Sequence, residues 1–193
     1  MSHDWGVGRP REQHGRPRRR RASRGGFTLA ELALATTILL VALMSISAAT
    51  LRSHSLRRQN RQRVIAANAV RTYSEQIHAA SIQASKNLTT WAETVLEEWG
   101  AGGTVGTTFD VVGLTPAGAN ESVGTIEIIT DETATDDELG VQLGMPRDLD
   151  GDGAADDVDV SATARLLPVI VRVRWVSHTG VNEIRHPFYV MGY

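Results

Sequence analysis

The sequence predicts an α+β protein, in which a long N-terminal helix packs on a small antiparallel β-sheet. Residues 52–86 contain no proline or glycine and repeat apolar residues at helical spacing. Several short runs after residue 106 are typical of strands bounded by glycine-rich turns. The length of 193 residues suits one modest domain and one extended element. The chain has no cysteine, which excludes disulfides and thiolate metal sites.

The charges are divided between a basic beginning and an acidic remainder. Residues 1–26 hold eight Arg and two acids, whereas the rest holds 12 basic and 20 acidic residues. Glycine, proline and arginine dominate the first segment, so it cannot form a core. The run Arg18–Arg21 by itself is also typical of a nucleic-acid arm or a solvated tail.

Residues 27–51 are apolar apart from one charge, Glu31. As a helix they span about 37 Å, which exceeds the roughly 30 Å of a bilayer core. The segment therefore predicts a membrane-spanning helix. The basic residues before it favour a cytoplasmic N-terminus. Five arginines after it, within residues 52–63, weaken that orientation argument.

Residues 52–86 continue the helix as an amphipathic second half that lays one stripe on a head, residues 87–193. The predicted stripe consists of Val64, Ile65, Ala67, Ala69, Val70, Tyr73, Ile77 and Ala80. A short helix follows, with Thr89 or Thr90 as its cap and Glu93 as a capping-box partner. Trp91 and Trp99 on that helix are expected to pack in the core.

Four runs predict strands: 107–112, 123–130, 168–177 and 181–190. The last two flank His178–Gly180 and predict a hairpin. Val169, Val171, Val173 and Trp175 are expected on its buried face, and Arg172 and Arg174 on its solvent face. An acidic loop, residues 131–159, lies between the strands.

The nine residues Arg24-Gly25-Gly26-Phe27-Thr28-Leu29-Ala30-Glu31-Leu32 join the arginine-rich residues 1–26 to the apolar residues 27–51. Here the chain resembles the prepilin family, the type IV pilins and the pseudopilins of type II secretion. That family has a basic leader ending in Gly, then Phe, then Thr-Leu-x-Glu and an apolar helix. A secretory signal peptide would instead carry its small-residue cut site after the apolar run.

The resemblance implies a pilin-like fold and a prepilin peptidase that removes residues 1–26 and N-methylates Phe27. It also implies that Glu31 pairs with the Phe27 amine of a neighbouring subunit during filament assembly. Two alternatives remain for Glu31: pairing with its own Phe27, or a place at the membrane interface as a helix-entry residue. Ser47-Ala48-Ala49 stands where many pilus-forming members carry a proline, which favours a pseudopilin or minor subunit.

Residues 148–159 follow the spacing of an EF-hand-type calcium loop. Asp148, Asp150, Asp152, Asp156 and Asp159 stand at positions 1, 3, 5, 9 and 12, and the carbonyl of Ala154 would serve at position 7. Gly153 stands where the loop turns sharply. Asp at position 12 and the absence of flanking helices depart from the pattern. The hypothesis is a structural Ca²⁺ site; the alternative is a solvated acidic turn. A further ligand could come from Asp131, Glu132, Asp136, Asp137 or Glu138, but these residues are interpreted mainly as a solvated loop.

Nothing in the sequence indicates an enzyme, because no nucleophile or triad motif is present. The histidines show no metal-ligand spacing, and no small-molecule substrate is expected. The resemblance implies a subunit of a secretion pseudopilus or a type IV pilus, anchored in the bacterial inner membrane with a periplasmic head. Its expected partners are the peptidase, membrane lipid and other pilin-like subunits, and not nucleic acid. The alternative is a single-pass anchor that displays a calcium-binding or adhesive head outside any filament.

Overall fold

The computed structural model describes residues 28–87 and 90–192. They form a long helix and a four-stranded antiparallel sheet, which confirms the predicted α+β class. The chain divides into two compact units, Met1–Ala49 and Thr50–Tyr193. The predicted leader, the Gly26–Phe27 cleavage position and Thr89 lie outside the described residues.

The first unit contains the beginning of helix α1 (Leu29–Ala84), whose side chains are exposed up to residue 49. Within the described residues, α1 alone is long and apolar enough to cross a membrane, a test that signal sequences also pass. Its hydroxyl groups donate to the carbonyls of the preceding turn: Thr37 to Ala33 at 2.8 Å and Ser45 to Val41 at 2.8 Å. This part of α1 would therefore expose few unpaired polar groups to an apolar environment such as a membrane.

In the second unit, α1 buries one narrow face against the sheet. Five residues at spacings of three or four make this face: Ala66, Val70, Ser74, Ile77 and Ser81. The predicted stripe was too wide, because Val64 is 59% exposed and Ala67 is also exposed. Val64 precedes Ala66 by two residues, about 200° around the helix, and so faces away from the sheet.

Helix α2 (Trp91–Trp99) packs Trp91 and Trp99 into the core, as predicted. The Trp91 indole donates to the carbonyl of Ser81 at 3.1 Å. The predicted capping box is wrong: Thr90 is the N-cap but makes no side-chain cap bond, and Glu93 is exposed.

The sheet has the order β1-β2-β3-β4, with every neighbouring pair antiparallel. Its strands are β1 (Thr108–Phe109), β2 (Gly124–Ile128), β3 (Leu166–Ser177) and β4 (Gly180–Met191). The predicted hairpin is confirmed as β3 and β4, whereas β1 is much shorter than its predicted run 107–112. Gly124 is needed where β2 begins, because a Cβ there would collide with the Phe109 ring.

The two faces of β3 differ in their surroundings. The predicted residues Val169, Val171, Val173 and Trp175 are buried. Ile170 on the opposite face is also buried, but Arg174 is exposed and lies 3.6 Å from Glu121. Arg172 is half-buried and lies 3.4 Å from Glu183. The second face is therefore apolar at one end and polar at the other.

Strand β4 is an edge of the sheet and contains Pro187, which has no N–H group. The acidic loop reaches this strand at two points. The Arg185 guanidinium donates to the carbonyl of Gly140 at 3.1 Å, and the Tyr189 hydroxyl donates to that of Leu143.

Candidate metal centre

Asp148 organises the first half of the predicted calcium loop. One of its carboxylate oxygens accepts the N–H of Gly151 at 2.6 Å, and the other accepts that of Gly153 at 2.9 Å. These bonds favour the charged form and lower the pKa of Asp148 below its ordinary value. Gly151 and Gly153 have φ of 85° and 97°, a region that side chains rarely adopt. The turn expected at Gly153 is thus present.

Two more aspartates continue this local pattern. Asp150 accepts the N–H of Asp152 at 3.1 Å, and Asp152 accepts that of Ala154 at 2.8 Å. Asp150 and Asp152 also line a cavity of about 740 Å³ together with Trp91 and Arg165. The cavity leaves their carboxylates accessible to an ion from solvent.

Glu132 is the residue that the sequence interpretation misplaced, since it is 0% exposed instead of solvated. Its Oε1 accepts the N–H of Leu149 at 2.5 Å and that of Asp150 at 3.3 Å. Its backbone N–H donates to the carbonyl of Asp157 at 3.0 Å, and its own carbonyl accepts from Arg147 at 3.2 Å. Glu132, which follows β2, therefore holds both ends of the predicted calcium loop, residues 148–159.

The carboxylates converge in two overlapping groups that could hold a metal ion. The groups are Glu132, Asp148 and Asp150, and Asp150, Asp152 and Asp157, with ligand oxygens within 4.8 Å of one another in each. The pKa of Asp157 is raised by desolvation and by the negative charges of Asp152, Asp156, Glu132 and Asp150. A bound cation would remove this repulsion, because it offsets several negative charges at once.

Of the six predicted ligands, Asp148 and Asp150 belong to the first group, and Asp150 and Asp152 to the second. Ala154 is exposed and donates its backbone N–H to Asp152; the role predicted for its carbonyl stays a prediction. Asp156 is exposed and belongs to neither group. Asp159 also belongs to neither; it accepts the N–H of Ser161 at 3.0 Å, which lowers its pKa. Glu132 and Asp157 join the groups in their place.

The acidic loop is also ordered by Asp136, at the start of helix α3 (Asp136–Leu139). Its carboxylate accepts the backbone N–H groups of Leu143, Gly144 and Met145 at 2.9–3.0 Å. These bonds lower the pKa of Asp136. Thr135 and Glu138 form a capping box at the same helix.

Glu31, the second predicted functional residue, lies in the first turn of α1. Its carboxylate accepts the N–H of Thr28 at 3.1 Å and the Thr28 hydroxyl at 3.2 Å. The Glu31 N–H donates to that hydroxyl at 3.2 Å, which completes a capping box. In this arrangement Glu31 satisfies a backbone donor at the start of the helix.

No family model, curated protein or solved structure matches this chain. The arrangement of its own residues therefore carries the functional interpretation.

Proposed function

We propose that this chain is the precursor of a structural, pilin-like subunit, a minor component of a secretion pseudopilus or a type IV pilus. The observation that carries the proposal is Glu31, the one charge within residues 27–51 and the fifth residue after the proposed cleavage between Gly26 and Phe27. A carboxylate in a membrane costs roughly 2.5–3.5 kcal/mol at the bilayer centre and less near its edge. The amine liberated at Phe27 would offset that cost.

The fold is compatible with this role. A filament subunit of this kind needs an apolar helical segment for the membrane and the filament core, and a folded head. Helix α1 supplies exposed apolar side chains up to residue 49, and from Thr50 onward the second unit contains a packed head.

The capping box at Glu31 is compatible with assembly. A carboxylate has about four lone-pair sites, and the contacts with Thr28 involve only one of its oxygens. The other oxygen remains available to the amine of Phe27 from a neighbouring subunit. The alternative, in which Glu31 serves only as a cap, requires no partner.

The N-terminus of the mature chain tests the proposal. Mass spectrometry of the protein from membranes is expected to give N-methylated Phe27 as the first residue. A chain that keeps residues 1–26 would favour the alternative, a single-pass anchor with a calcium-binding or adhesive head. Glu31→Ala should still be cleaved but should assemble poorly, whereas Glu31→Asp should retain part of the assembly. Normal assembly of Glu31→Ala would leave only the capping role.

We also propose that the carboxylate groups around Glu132 hold Ca²⁺ as a structural ion. Oxygen ligands in a flexible arrangement suit Ca²⁺ better than Mg²⁺, which demands near-ideal octahedral geometry. A disulfide-free head gains stability from such an ion, because it binds only the folded loop. The ligands proposed are Glu132, Asp148, Asp150, Asp152 and Asp157, in place of the position-9 and position-12 aspartates of the sequence hypothesis.

A further inference from the structure

A strongly basic stretch of α1, here called the basic segment, covers residues 52–63. It contains five exposed arginines and no acid: Arg52, Arg57, Arg58, Arg61 and Arg63. The sequence holds no Asp or Glu between Glu31 and Glu75. The helix therefore cannot neutralise these arginines with carboxylates three or four residues away.

The absence of pairing distinguishes these arginines from the next one along the helix. Arg71 lies 2.7 Å from Glu75, one turn away. No arginine of the basic segment forms an ion pair with any described carboxylate. Arg57 and Arg61, at a spacing of four, repel each other at a cost of about 0.2–0.5 kcal/mol. An external anionic partner would convert that repulsion into attraction.

The second unit also carries the opposite charge, in the acidic loop (residues 131–159), which holds 11 acids and one Arg. A chain of contacts locates it along α1. The hydroxyl of Ser81 donates to the carbonyl of Met191 at 3.2 Å, and Met191 pairs with Leu166 across the hairpin. The N–H of Leu166 donates to the carbonyl of Leu149, in the acidic loop, at 3.0 Å. The part of the acidic loop around Leu149, to which Glu132 joins Asp157, is thus level with Ser81. Gly140, also in the loop, instead contacts Arg185, nearer the turn of the hairpin.

The basic segment is at the other end of the same unit. Arg63 lines a groove with Trp175 and Asn182, next to the turn of the hairpin. Arg58 and Ser81 are separated by 23 helical positions, or about 34 Å. That distance is several times the Debye length of about 8 Å at physiological salt, so the two surfaces cannot neutralise each other within one chain.

We propose that the basic segment of one copy docks against the acidic loop of a second copy, displaced by about 34 Å along α1. Such a contact joins two different surfaces, so each copy keeps one free surface of each charge, and the assembly can grow. Asp156 is the suggested contact. It is exposed and outside the candidate metal groups, so it remains available when an ion is bound.

Membrane headgroups fit the basic segment less well than a second copy does. From Arg52 to Arg63 the segment extends about 16 Å along the helix. One headgroup layer is only about 5–8 Å thick, so a bilayer crossed by this helix could meet one end of the segment and not its whole length. The acidic loop also supplies more negative charges than the five arginines require.

The inference goes beyond the proposed filament function and needs neither cleavage nor methylation, because both surfaces belong to the head unit. Because the full chain has no cysteine, it allows an unambiguous cross-linking test. One tagged copy would carry Arg58→Cys and a second Asp156→Cys, co-expressed in membranes and oxidised. We expect a mixed disulfide dimer, about tenfold more abundant than with Val112→Cys, an exposed head position outside both surfaces and beside Ile65 instead of Ser81. A yield no higher than that control would overturn the proposal.

Reversing the charge of the arginines distinguishes between a second copy of the chain and membrane lipid as the partner. In this test one copy carries Arg61→Cys and the other Asp156→Cys. Adding Arg57→Glu and Arg58→Glu to the Arg61→Cys copy should abolish the cross-link. The proposal is wrong if the reversed chain cross-links normally but no longer binds vesicles containing phosphatidylglycerol. The N-terminal mass is measured on the same samples, so a failure of the filament proposal is distinguished from a failure of this contact.

Discussion

Glu132→Gln provides a sharp test of the candidate metal centre, because it removes one charge without changing size. Glu132 is fully buried, and its carboxylate accepts N–H groups from both sides of the loop. The substituted amide would also present a donor where the carboxylate accepts the N–H of Asp157. Calcium binding should therefore weaken much more than the loss of one exposed carboxylate would cause.

The magnitude follows from ligand linkage. Ca²⁺ at a hundred times its Kd adds about 2.7 kcal/mol to the free energy of unfolding. For a unit the size of Thr50–Tyr193, about 1 kcal/mol corresponds to roughly 4 °C in Tm. The wild-type protein should thus melt about 10 °C higher with saturating Ca²⁺ than with a chelator. Glu132→Gln should lose most of that difference.

The assay is thermal unfolding of the detergent-solubilised full chain, followed by circular dichroism, with Ca²⁺, with Mg²⁺ and with chelator. Asp137→Asn is the matched control, because Asp137 belongs to the same loop but to neither candidate metal group. It should keep the full calcium shift. Equal shifts in Glu132→Gln and the wild type, or no shift in the wild type, would refute the reasoning.

Three further predictions concern the core, the acidic loop and the apolar segment. Ile77→Ala, at a position with 0% exposure, should lower the free energy of unfolding by about 2–5 kcal/mol in urea titrations, and Ile82→Ala, at 65% exposure, by less than about 0.5 kcal/mol. The pKa of Asp136 is depressed, so its contribution to stability is present above the ordinary aspartate pKa of 3.8 and is lost as the pH falls through the depressed value. Asp136→Asn should therefore lower Tm at neutral pH and flatten the decline of Tm below about pH 4; an unchanged decline would contradict this. Glu31→Ala should appear in membranes with an N-terminal Phe27 but should be scarce in sheared filament fractions, and equal recovery in those fractions would contradict the assembly role.

The sequence was informative wherever the structure depends on neighbours along the chain. The alternation of apolar and polar residues predicted the β3–β4 hairpin. The spacing of residues 148–153 predicted the turn in the calcium loop. Thr28 and Glu31, like Thr135 and Glu138, carry the Thr-x-x-Glu pattern that forms capping boxes. A count of all such patterns would have found them. A capping box was predicted only for Thr89 or Thr90 with Glu93, where the structure has none.

Glu132 could not be predicted in the same way. It precedes Leu149 by 17 residues and Asp157 by 25, so no periodicity connects it with the loop. Its burial arises because the loop folds back over the end of β2 and surrounds the carboxylate with backbone N–H groups. Val64 was misassigned for a related reason, since an apolar residue on a helix does not reveal which side faces the sheet.

Pro187 protects the edge of the sheet when several of these heads lie close together. Strand β4 is 12 residues long and lies at the sheet edge, where an unprotected strand invites another chain to extend the sheet. Pro187 removes a donor near the middle of that strand, and contacts from Gly140 and Leu143 obstruct it from one side. Neighbouring heads are therefore not expected to pair through the backbone of β4. The charged side chains then determine the orientation in which two copies bind.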